Sequence, residues 1–160
     1  HYSGCRPSEA LELSTQRILI HESALVFRSL KKRKHDNQGR KKQPQYRAVD
    51  VPERVIDDID LVFGIRQQQR AKKGKDLPLW TMSRPTAWRM VKRVMCRAGI
   101  VGPMATSKGL RHGFGIAMIQ KKVPITVVRD LLGHSDTKIT EIYLQAIGEE
   151  RREMVMQAWE

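Results

Sequence analysis

A chain of 160 residues is long enough to bury one hydrophobic core. Its 30 Lys and Arg outnumber 17 Asp and Glu, so the formal net charge is +13 and the pI is near 10.2; that balance points to a polyanionic partner, nucleic acid first. No stretch approaches the roughly 18 apolar residues of a membrane span, no signal-peptide pattern is visible, and no basic amphipathic segment with a strong aromatic face suits a membrane surface.

Cys5 and Cys96 are far apart and form no metal-like pair, which favours a reducing, cytoplasmic setting. The chain starts at His1-Tyr2-Ser3-Gly4 without Met, as a fragment would. Gly4 and Pro7 punctuate the start of a short helix, with Pro7 in its first turn. Residues 18–20 and 24–30 read as two strands separated by His21-Glu22-Ser23, and residues 46–51 as a third, ended by Pro52. The second and third strands form a hairpin with a long basic tip that holds Lys31, Lys32, Arg33, Lys34, Arg40, Lys41 and Lys42. Residues 52–69 are expected as one helix with Val55, Ile59, Val62 and Phe63 on its apolar side. A basic connector leads to a helix at 85–98, with Trp88, Val91, Val94 and Met95 facing the core and Gly99 and Gly102-Pro103 stopping it. Further helices are expected at 107–121, from Pro124 to the stop at Gly133, at 136–146 and at 149–159. The expected class is α+β, mainly α-helical, with one small three-stranded antiparallel sheet near the N-terminus.

Leu110-Arg111-His112, Leu131-Leu132-Gly133-His134 and Tyr143 fall on successive short helices, each polar residue beside apolar anchors. A Tyr with Arg, His and Lys nearby can attack a phosphodiester. The phenol is a weak nucleophile at neutral pH, because its pKa is about 10, so it needs in-line placement and a positive field or a base. Planar arginine forks suit the non-bridging oxygens of the transition state, and a Lys can protonate the leaving oxygen.

The segment from Thr106 to Leu144 resembles the C-terminal signature of the tyrosine recombinase, or phage integrase, family. That family shows a His-x-x-Arg box, a Leu-Gly-His box, and a Tyr nine residues after that His. Here Lys108-Gly109-Leu110-Arg111 stands in the first box, Leu132-Gly133-His134 is the second, and Tyr143 follows His134 by nine positions. Upstream, Gly4-Cys5-Arg6-Pro7-Ser8-Glu9-Ala10-Leu11 resembles the family's first arginine box. The hairpin from Phe27 to Arg47-Ala48-Val49-Asp50-Val51-Pro52 resembles the one that carries its catalytic lysine.

The resemblance implies a catalytic domain over residues 1–160, with the family's N-terminal DNA-clamping domain lying outside them and a tail helix at 148–160. It implies that Arg6 and Arg111 clamp the scissile phosphate, that His134 donates a hydrogen bond to it, and that Tyr143 forms a 3′-phosphotyrosyl bond. Lys31 is the first choice for the general acid and Lys32 the alternative. Lys108 replaces the family's usual histidine; as a protonated amine it suits phosphate binding better than base catalysis. His112 is structural or a secondary site residue. The implied activity is site-specific DNA strand exchange on double-stranded DNA, with no cofactor, metal or small-molecule substrate, because the phosphotyrosine bond conserves the energy of the broken phosphodiester.

Plainer readings stand beside these. His134 could merely cap a helix C-terminus, Tyr143 could be a half-buried core residue, and the charges at 32–42 could be a solvated loop or non-specific backbone contacts. Asp57, Asp58 and Asp60 read as a solvated face, and Trp80 and Trp88 as core. Leu144, Ile147, Met154, Val155, Ala158 and Trp159 form an apolar stripe beyond the nucleophile, interrupted by Arg151. In the resembling family such a tail packs on a neighbouring protomer of a tetramer; the alternative is packing on its own core, and Gly148 could hinge either. A type IB topoisomerase and a non-cutting DNA-binding accessory protein of the same fold are the rival functions. The compact His134–Tyr143 spacing disfavours the first, and the intact set Arg6, Arg111, His134 and Tyr143 the second.

Overall fold

The computed structural model describes residues 1–30, 43–71 and 76–134. Their order is α1 (Pro7–Leu11), a 3-10 turn (Thr15–Arg17), β1 (Ile18–Leu19), β2 (Ala24–Arg28), β3 (Tyr46–Asp50), α2 (Glu53–Phe63), α3 (Ile65–Arg70), α4 (Arg84–Arg97), α5 (Ser107–Gln120) and α6 (Ile125–Leu132). The mainly helical α+β class and the small antiparallel sheet agree with the sequence reading. The basic hairpin tip at 31–42 and the helices expected at 136–146 and 149–159 lie outside the described residues.

The sheet runs β1-β2-β3, with Ile18 opposite Leu25, Leu25 opposite Val49, and Phe27 opposite Arg47. Strand alternation turns Leu25, Phe27 and Val49 to one buried face, where Ile18, Val51, Ile56 and Ile65 complete a core. After the connector the chain returns beside Leu13 and Thr15 through backbone bonds to Leu77 and Leu79, which carries Leu79 into that core. Trp80 follows it inward, as expected: its ring meets Phe63 edge-on at 5.2 Å, and its Nε1 donates to Ala10 O at 2.7 Å. A second core of Phe114, Ile119, Val128 and Leu132 joins α5 to α6, and Leu131 packs against both cores.

Three helix expectations need correction. The single helix expected at 52–69 breaks at Gly64, whose left-handed φ of 62° ends α2 and starts α3. Asp60 secures that break by accepting from Arg66 N and Arg66 Nη1, both at 2.7 Å, while Asp57 takes Arg66 Nη2 at 3.0 Å. These two acids are therefore paired with an arginine rather than simply solvated. The bond from the Arg66 backbone is the main reason the Asp60 carboxyl is held below its ordinary range. Val62 is exposed, and Ile56 is the buried residue of α2.

On α4 the inward positions are Ala87, Val91 and Met95, one helical turn apart; the first two border an apolar cavity of about 180 Å³ beside α1 and α5. Trp88 and Val94, expected in the core, are more than half exposed. An i, i+4, i+8 row of modest side chains fits close to α1. The larger Trp88 lies outside that row, with Lys92 Nζ 5.8 Å from its ring centroid.

Candidate active site

Gly133 ends α6 in the left-handed conformation, φ 64°. Gly133 N donates to Asp130 O and His134 N to Arg129 O, both at 3.0 Å, the paired bonds of a Schellman turn. These bonds leave the carbonyls of Leu131, Leu132 and Gly133 open, as at any helix end. Each takes an arginine from a different part of the chain. Arg47 Nε donates to Leu131 O at 2.9 Å, Arg111 Nη2 to Leu132 O at 2.7 Å, and Arg6 Nη2 to Gly133 O at 3.3 Å. The negative end of the helix dipole adds to the attraction.

Arg6 is the residue before α1, and its backbone N donates to the Glu9 carboxylate at 2.9 Å, half of a capping box. The same carboxylate takes Arg6 Nη1 on Oε1 at 2.7 Å and Arg47 Nη2 on Oε2 at 2.6 Å. Glu9 is fully buried, whereas 19% of the Arg6 side chain and 10% of the Arg47 side chain reach the surface. Burial alone would push the Glu9 carboxyl up. The bonds from Arg47 and Arg6 outweigh it and hold the carboxyl below its ordinary value.

Arg111 leaves the first turns of α5 and is pinned at its other end, where Nη1 donates to Gly4 O at 2.6 Å. Gly4 stands at φ 55°, and a Cβ there would run into the Phe114 ring. A Cβ on Gly109 would run into the Met104 carbonyl, so the start of α5 can seat against the preceding loop only with glycine there. Thr106 caps α5 by accepting from Gly109 N at 3.1 Å.

The structure thus brings Arg6 and Arg111 to one turn, directly before His134. Lys108 is exposed on the first turn of α5, one turn ahead of Arg111, and His112 is half-buried just after it. Tyr143, Lys31, Lys32, Arg33, Lys34, Arg40, Lys41 and Lys42 lie outside the described residues. Among the described residues no group of three or more His, Cys, Asp or Glu side chains is placed to hold a metal ion. Sequence reasoning missed Glu9 and Arg47 as parts of the site. The signal for Arg47 was present: it shares strand parity with Val49 and Val51, so a charge falls on a core-facing position.

The net result is three guanidinium groups on one helix end, two of them sharing the buried Glu9 carboxylate, with Lys108 one helical turn ahead of Arg111. Such an arrangement has spare positive charge and planar donors, and it suits an anion with several oxygens, a phosphate above all.

The sequence profile of the phage integrase family matches residues 1–150. The chain is 26% identical over 165 residues to tyrosine recombinase XerA of Pyrococcus furiosus, covering 98% of this chain and 51% of that protein. It is 30% identical over 156 residues to tyrosine recombinase XerD of Bifidobacterium longum, covering 88% and 45%. The chain spans about half the length of the curated relatives it matches. In fold it is similar to the crystal structure of XerA recombinase, with a TM-score of 0.69 at 23% identity, covering 98% of this chain and 54% of the other. It is also similar to XerH site-specific recombinase in its post-cleavage complex with palindromic difH substrate, with a TM-score of 0.71 at 21% identity, covering 99% and 43%.

Proposed function

The chain belongs to the phage integrase family of tyrosine recombinases, and on that premise we propose that it is the catalytic part of a site-specific DNA recombinase that cuts and exchanges strands through a 3′-phosphotyrosine intermediate. The observation that carries this reading is the meeting of Arg6 and Arg111 on the turn that delivers His134, with Tyr143 nine residues further on. The Tyr143 oxygen attacks the scissile phosphorus in line, its phenolic proton passing to water or a neighbouring base. The bond from phosphorus to the 5′-oxygen breaks, and Lys31, or Lys32 in its place, gives that oxygen its proton. Arg6 and Arg111 neutralise the charge that gathers on the non-bridging oxygens. His134 donates a hydrogen bond to the same phosphate, and Lys108 adds a further cation at the edge of the site.

Double-stranded DNA is the partner this chemistry needs, and proteins of the same fold support it: XerH bound to difH substrate and Tn1549 transposon integrase bound to transposon right end DNA. Lys32, Arg33, Lys34, Arg40, Lys41 and Lys42 are assigned to backbone contacts and His112 to a secondary contact, so their loss weakens the salt dependence of binding. The site of action assigned to this activity is the cytoplasm, where its DNA partner lies. Among the described residues no helix is long and apolar enough to cross a membrane. The apolar stripe from Leu144 to Trp159 is assigned to exchange between protomers of a homotetramer on DNA. Deleting the residues after Gly148 then weakens assembly and leaves cleavage competence; unchanged assembly rejects the exchange.

The decisive test of the reading is a nicked suicide substrate offered to the full-length protein. A covalent protein–DNA adduct, absent in Tyr143→Phe, is expected. No adduct on the correct site with the complete protein rejects the proposal. The general acid is identified by a substrate with sulfur at the 5′-bridging position, whose thiolate leaves without a proton: it restores cleavage by the lysine variant that has lost the acid.

A further inference from the structure

Arg47 is the one member of the arginine cluster that no phosphate role claims, and its placement is the most constrained. It projects from β3 onto the buried face of the sheet, one strand pair from the point where β2 and β3 run out into the basic tip. Among the described residues that ladder runs on through the Arg28–Tyr46 pair to Ser29 N, which donates to Gln45 O at 2.8 Å. Its guanidinium lies 5.4 Å from the Phe27 ring centroid, donates through Nε to Leu131 O, and donates through Nη2 to Glu9. Nη1 is buried without a partner among the described residues, within 3.0 Å of where a Cβ on Gly133 would stand. One rigid fork therefore touches the hairpin, α1 and the α6 turn at once. A buried, tightly packed cation that spans three elements fixes their relative positions more than it adds stability.

We propose that Arg47 is a positioning residue for DNA cleavage: acting through Glu9 and Leu131, it holds Arg6 and the Gly133-His134 turn in register with the hairpin that carries the general-acid lysine. This rests on the strand-cleavage reading above and names how that site is assembled. Arg47 does not touch the phosphate. It orients Arg6 through the carboxylate they share, and it sets the height of the α6 turn, on which Arg6 and Arg111 also rest. Glycine in the Leu-Gly-His box then has two reasons: the left-handed turn, and room for this guanidinium.

The test uses the full-length protein and compares Arg47→Lys and Arg47→Met with the parent on the nicked substrate. Arg47→Lys keeps the charge but replaces the planar fork, whose Nε and Nη2 serve Leu131 O and Glu9 separately, with a single flexible ammonium, and it covers the case in which Arg47→Met fails to fold. Folded variants, checked by thermal melting, are expected to bind DNA within about threefold of the parent. They are expected to cleave about tenfold to a hundredfold more slowly at saturating DNA, as a misplaced clamp requires. A scissile methylphosphonate, which lacks the charge that Arg6 neutralises, separates positioning from general damage. The deficit of the variants shrinks on that substrate if Arg47 acts through the clamp, and is unchanged if it is merely structural. Cleavage at the parent rate by either folded variant, or an undiminished deficit on the methylphosphonate, overturns the proposal and leaves the cleavage reading intact. A parent that forms no adduct sinks both.

Discussion

Two helix ends in this molecule are built from the same parts and differ in where they sit. α2 and α6 both stop at a left-handed glycine, Gly64 and Gly133, and both turns engage arginines and acids. At Gly64 the pairing of Arg66 with Asp60 and Asp57 is partly open to solvent, with 40% of the Arg66 side chain exposed. At Gly133 the pairing of Arg6 and Arg47 with Glu9 is largely buried, and a third arginine, Arg111, bonds the same helix end. Water satisfies an exposed helix end and screens its charges, so an ion pair there secures a bend and little else. A buried end must find donors inside the protein, so three distant segments are drawn to it. The first arrangement is a joint between two helices; the second is the candidate site.

The largest effect in breaking that comparison is expected from Glu9→Gln. It strips the buried counter-ion from two guanidinium groups and should cost about 3–5 kcal/mol of unfolding free energy in urea melts. The acid limb sharpens it. Glu9 has its carboxyl pKa depressed from the ordinary 4.5. Its contribution to stability is therefore complete above that value and is lost as the pH falls through the lower folded one. The parent should lose urea resistance steeply over that window and Glu9→Gln less so. An equal acid slope in the two proteins would show that Glu9 is not held ionised by its arginines.

Next come the glycines. Both Gly64→Ala and Gly133→Ala suffer about 1–2 kcal/mol of left-handed backbone strain. Only Gly133→Ala also pushes a Cβ to within 3.0 Å of the Arg47 guanidinium, whereas the nearest atom at Gly64 is Gln67 Oε1 at 3.9 Å. Gly133→Ala should be the more destabilised of the two and should slow adduct formation; Gly64→Ala should leave it at the parent rate. Equal melting losses would mean that the Arg47 contact is slack. The smallest effect belongs to Arg66→Ala, which is expected to move the melting midpoint by only about 2 °C and to leave cleavage untouched. A large loss there would erase the contrast between the two ends.

The three-stranded sheet, the helices near 85–98, 107–121 and 124–133, and the meeting of Arg6 and Arg111 beside His134 were legible from the sequence, because each rests on local signals: strand alternation, Pro7 and Gly133 as boundaries, and motif spacing. Trp88 and Val94 misled because a helical period leaves the apolar face ambiguous when small residues such as Ala87 can also pack. Gly64 misled because one glycine inside an apolar period is compatible with a continuous helix, and the capping acid that decides the matter, Asp60, acts across the break.

The sequence by itself determined the family and the mainly helical class, and it singled out Arg6, Arg111 and His134 as candidates, since those signals are carried by residue types at fixed short separations. Only the tertiary structure decided that Glu9 and Arg47 belong with them. Their bonds join residues 38 and 84 positions apart. No local preference encodes a contact of that span. It exists because burying the end of α6 leaves carbonyls that must find donors, and the fold brings three arginines within reach.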